Sequence, residues 1–190
     1  MKILVTYLIF LLSMPIISKA QHPEFLKEPA GWEFERFALP PSFDPDFPYK
    51  GVEELRFAPG MFKKDTATYF TYAFVAQLDS VTVFSQDDTR NYLLIYYKGL
   101  CRQTAKDRKL VIDTDKITIS SDKKKGVPAD QAIYNASVNL FGVFADGAPL
   151  TLNIEVKVLI NRNTQKTYLV VIASPHEDGP RTMAGGGQRE

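Results

Sequence analysis

The chain has 190 residues, with 23 basic and 22 acidic side chains, for a formal net charge of +1 at pH 7. So balanced a chain has no electrostatic reason to seek nucleic acid or anionic membrane; its one basic run, Lys123–Lys125 between Asp122 and Gly126, reads as a solvated turn. Cys101 is the only cysteine, so no internal disulfide and no Cys/His zinc pattern can be assembled, and no disulfide-linked partner, metal or other cofactor is expected.

In chain order, residues 1–20 read as a signal peptide. Lys2 precedes a mostly apolar run over residues 3–17, "ILVTYLIFLLSMPII", and Ser18-Lys19-Ala20 places small residues for cleavage after Ala20. The run is short and interrupted by Thr6, Ser13 and Pro15, so it is read as an export signal rather than a membrane span, and membrane attachment would come only through an uncleaved signal. The expected location is therefore periplasmic or extracellular. Cleavage would leave 21 basic and 22 acidic side chains. Residues 21–174 then suit one domain.

Residues 21–50 carry six prolines, and "PPSFDPDFP" cannot be helical because each Pro lacks an N–H and restricts its predecessor. Phe43, Phe47 and Tyr49 are interleaved with them, which predicts an ordered strap lying across the domain. "GWEFERF" suits a short strand. "VEELRFA" and residues 68–78 suit the first substantial strands, the second apolar on both faces and hence central, with "APGMFKKDT" as the turn between them. Residues 88–104 have helical spacing, with Leu93, Tyr97, Leu100 and Thr104 in one stripe beside Tyr96 and Cys101, and Asp88 as N-cap. Gly99 inside that pattern costs about 1 kcal/mol relative to Ala, unless it serves a close approach to a sheet.

Strands follow: "KLVID" (109–113), "KITIS" (116–120), 133–144, 150–160 and 167–173. In the 150–160 run Leu150, Leu152, Ile154, Val156 and Val158 alternate with polar residues, the mark of an antiparallel sheet with one wet face. "FADGAP" and "NRNTQK" supply hairpin turns, and 175–190 is expected to be a flexible tail. The predicted fold class is α+β: an antiparallel meander with one main helix on its apolar face and a Pro/aromatic-rich N-terminal strap.

Chemistry is sparse. "SPHED" gathers Ser174, His176, Glu177 and Asp178, but a triad needs converging groups from fixed elements. Cys101 falls on the core side of its helix and reads as a small buried residue rather than a nucleophile. No recognisable catalytic motif is present, so no catalytic residue is assigned and the chain is read as leaning away from enzymes. Asp44, Asp46, Glu53 and Glu54 are the acid–base candidates, read by default as surface charges. Twelve of the 23 aromatics fall within residues 32–74, and rings beside Arg and Glu suit a binder of amphipathic ligands. The candidate binding residues are Glu54, Arg56, Tyr69 and Tyr72. Strand alternation puts Glu54 and Arg56 on a wetter face, where an ion pair contributes only about 0–1 kcal/mol. Leu55 and Phe57 take the other face, and Met61-Phe62 folds back as a plug.

The run "GWEFERFALPPSFDPDFPYKGVEELRFAPGMF", with "YFTYAFVAQL", "YYKGL" and "LTLNIEVKVL", resembles a family of uncharacterised exported bacterial proteins. The resemblance covers residues 31–174, is most specific at "GVEELRFAPGMF", and implies a single exported domain without bringing an activity. The expected function is an exported, non-enzymatic domain that binds a ligand or protein partner. The alternative is a carboxylate-dependent hydrolase acting in an aromatic-lined cleft.

Overall fold

A computed structural model describes residues 25–26, 31–126, 128 and 131–176. The signal reading of 1–20, most of strap residues 21–30 and the tail beyond His176 lie outside the described residues. Seven strands and one long helix form an α+β fold: β1 (Glu33–Leu39), β2 (Gly51–Phe57), β3 (Tyr72–Leu78), α1 (Gln86–Arg108), β4 (Thr118–Lys123), β5 (Gln131–Phe141), β6 (Pro149–Asn161) and β7 (Lys166–Ser174). Every strand pair is antiparallel, in the order β1-β2-β3-β7-β6-β5-β4. The first three strands meander inward from one edge. Helix α1 carries the chain to the far edge, and β4 to β7 meander back, so that β7 pairs with β3 in mid-sheet.

Period-2 alternation sorts the side chains. Leu55, Phe74, Val171, Val156 and Tyr134 line the face beneath α1, and all are buried. The helix answers with Tyr92, Leu93, Tyr96, Tyr97, Cys101 and Ala105, which are also buried. It begins earlier than the apolar stripe suggests, at a capping box in which Ser85 is the N-cap and Asp88 the third helical residue rather than the cap. Asp87 and Asp88 in the first turn and Lys106 and Arg108 in the last suit the helix dipole. Cys101 is fully buried, and desolvation pushes its thiol up to about 11, which suits packing rather than nucleophilic attack.

Three local expectations change. Residues 109–113 form no strand: Lys109 takes a left-handed conformation (φ 56°) and the Leu110 N–H returns to the Ala105 carbonyl at 2.8 Å, ending the helix, and a 3-10 turn at Thr114–Lys116 follows. β3 starts at Tyr72 rather than at 68, because Phe70 sits at φ 52° with its N–H donated to the Met61 carbonyl, so residues 58–71 make a compact loop. Gly99 serves a close approach, but to the strap and not to the sheet. A Cβ there would lie 2.8 Å from the Asp44 Cβ.

Candidate functional site

The four sequence-predicted binding residues are not brought together. Alternation places Glu54 and Arg56 on the sheet face away from α1, as expected, but that face is not wet at this point: Glu54 is 0% exposed and Arg56 7%. Residues Phe25 and Leu26 lie over them. Glu54 Oε2 accepts the Phe25 N–H at 2.6 Å and the Leu26 N–H at 3.3 Å, and Oε1 accepts from Arg36 Nη1 at 2.5 Å. Arg56 donates through Nε and Nη2 to the Leu26 carbonyl, at 3.0 and 2.6 Å, and lies 4.2 Å from the Phe34 ring centre. The pair holds the chain's own N-terminal segment to the sheet. Tyr69 belongs to the 58–71 loop, buried so close to the β5–β6 turn that a Cβ at Gly142 would meet its hydroxyl at 2.7 Å. Tyr72 faces α1, its hydroxyl 2.5 Å from that of Tyr97.

Tyr72 also lines a cavity. Between α1 and the β1–β2 edge lies an open-mouthed pocket of about 230 Å³. One wall is Phe37, Phe43 and Tyr96, packed edge to face with ring centres 6.4 and 5.2 Å apart in succession. The other is Phe57, Phe62 and Phe144, with centres 5.4 and 5.2 Å apart. Buried Leu55, Tyr72 and Met61 and half-buried Leu100 contribute further lining, and Pro41, Ser42 and Glu35 complete it. The expected Met61-Phe62 plug is half right. Met61 is buried, whereas Phe62 is 45% exposed and forms part of the pocket's rim.

Behind the first wall sits a carboxyl group that the default surface reading missed. Glu53 is 0% exposed and accepts a 2.6 Å hydrogen bond from the Tyr96 hydroxyl, while its Oε2 and the buried Tyr92 hydroxyl find no partner among the described residues. Desolvation raises its pKa from 4.5 to about 8; the Tyr96 bond opposes that rise and the nearby Glu35 charge adds to it. The group is therefore largely uncharged at neutral pH. Burial likewise raises the hydroxyl pKa values of Tyr72, Tyr92, Tyr96 and Tyr97. Strand parity was the available signal, since Glu53 shares its face with Leu55 and Phe57.

Chemically the described lining offers apolar contact, aromatic rings and one charged residue, Glu35. Among the described residues no group of three or more His, Cys, Asp or Glu is placed to hold a metal ion, and no helix is long and apolar enough to cross a membrane. Comparison with models of protein families, with curated proteins and with solved structures finds no match to this chain, so the functional reading rests on the geometry of the site.

Proposed function

We propose that the chain is a non-enzymatic binding domain of an exported protein, and that the pocket between α1 and the β1–β2 edge holds a small, largely apolar ligand. The observation that carries this reading is the pair of aromatic walls left unfilled by the side chains of the described residues, with Phe62 half exposed at the mouth. Apolar cavities of roughly 150 Å³ accept benzene, so about 230 Å³ suits a ring with a short chain, on the order of ten non-hydrogen atoms. A ligand of that size binds with somewhere between roughly −3 and −8 kcal/mol, hence millimolar to micromolar dissociation constants.

A hydrolase working through paired carboxylates fits less well. Glu35 and Glu53 lie diagonally on neighbouring strands, but Glu53 does not line the pocket, and Glu54 is engaged by Arg36 and two backbone amides on the opposite face.

Titration of the chain with millimolar 3-phenylpropanol, followed by NMR, is expected to shift the ring resonances of Phe57, Phe62 and Phe144 saturably. Leu100→Trp, which places an indole in the pocket, is expected to abolish the shifts while the rest of the spectrum stays folded. Equal shifts in both proteins, or no saturable shift in the parent, would remove the pocket reading. Export has its own readout: mass spectrometry of secreted material is expected to show a chain starting at or near Gln21, and recovery only from membranes with Lys2 retained would overturn it.

A further inference from the structure

Building on that pocket reading, we infer that the preferred ligand is a monocation: an amine or quaternary ammonium carrying one apolar or aromatic group. Charge complementarity is the first ground. Among the described residues Glu35 is the only charged one in the lining, and no Lys or Arg contributes to it. Glu33 is exposed two residues earlier on the same strand face, opposite Phe57, and adds a second negative charge near the mouth. Arg36, the basic residue next to Glu35 in sequence, is turned to the other face of the sheet, where it is bound to Glu54. Lys63 and Lys64 follow Phe62 but line nothing here, and Lys64 is bound by Asp146.

The second ground is the wall chemistry. Seven of the thirteen described lining residues are Phe or Tyr, and each wall holds an edge-to-face pair, so ring planes of differing orientation border the cavity. Ring faces carry the negative end of the aromatic quadrupole and attract a cation, whereas they repel a carboxylate. A carboxylate ligand would also meet Glu35 with no basic side chain in the lining to offset it. The apolar group of the ligand would pack against Leu55 and Leu100, leaving the ammonium between the rings and the Glu35 carboxylate.

Three near-isosteric probes separate the terms at pH 7: 3-phenylpropylamine, 3-phenylpropanol and 3-phenylpropanoate, titrated calorimetrically against the full chain. The amine is expected to bind roughly tenfold more tightly than the alcohol, and the carboxylate more weakly than either. Glu35→Gln is expected to cut the advantage of the amine over the alcohol to about two- to threefold. Glu35 is exposed, so this variant should fold, and a thermal melt matching that of the parent checks that it has. Alcohol bound as tightly as amine, or carboxylate as tightly as either, would overturn the cation preference while leaving the pocket standing. Failure of all three probes to bind the parent chain would overturn both.

Discussion

Between pH 5 and pH 8.5 the folded chain is expected to lose roughly 3–5 kcal/mol of stability through Glu53 alone. In the unfolded chain this carboxyl titrates near 4.5, and in the folded chain burial holds its proton up to about 8. At pH values between those two, the unfolded state has released a proton that the native state keeps. Stability is therefore complete below about 4.5, declines as pH rises, and levels off above about 8. Among the described residues, the other groups that folding shifts act outside this window: burial moves the Cys101 thiol upward, and the lowered Asp88 and Asp146 matter only in acid. Glu53→Gln keeps the shape and the acceptor for Tyr96 but cannot ionise. Urea midpoints at half-unit steps should fall with pH in the parent and stay nearly flat in the variant, which becomes the more stable of the two above pH 7. A parallel slope in both proteins would mean that Glu53 is solvated after all.

The same carboxyl marks what the sequence revealed and where it stopped. Alternation through "VEELRF" assigned the faces of Glu54 to Phe57 correctly; carried back one residue it places Glu53 with Leu55 and Phe57, which the surface-charge reading of Glu53 missed. The β5–β6–β7 meander was equally legible, because one-sided alternation over 149–161 survives any change of neighbour. The inference from face to wetness failed at Glu54 and Arg56, since what covers them is Phe25-Leu26, nearly 30 residues away in sequence. "KLVID" has a strand's pattern, but so short a run yields to the helix-ending turn at Lys109 before it. The "SQDD" capping box was readable and would have placed the start of the helix. The pocket was not readable. Its walls come from β1, the strap at 41–43, the 57–62 corner, α1 and the β5–β6 turn, and no local pattern specifies how five separate segments meet. Aromatic density over 32–74 pointed to the region, and the sheet order then decided which rings face each other.

Glu54→Ala and Arg56→Ala are each expected to destabilise the fold by roughly 3–5 kcal/mol, several times the value for an exposed pair. Neither side chain has solvent to fall back on. Removing Glu54 takes the acceptor from two backbone amides and from one Arg36 donor; removing Arg56 takes two donated bonds from the Leu26 carbonyl. Arg36 remains 24% exposed at its side chain, so water can reclaim part of the loss on that side. The loss should therefore be non-additive. Once Glu54 is gone, Arg36→Ala should cost less than it does in the parent chain, giving a coupling on the order of 1–3 kcal/mol in a double-mutant cycle. Hydrogen exchange supplies the structural half of the test, because the Phe25 and Leu26 amides owe their protection to Glu54 Oε2. They should exchange slowly in the parent chain and rapidly in Glu54→Ala, while the amides of β6 and β7 in mid-sheet stay protected. Single variants that melt within about 1 kcal/mol of the parent, with residues 25–26 exchanging freely in all of them, would mean that the N-terminal segment does not rest on this face and that Glu54 and Arg56 are surface charges.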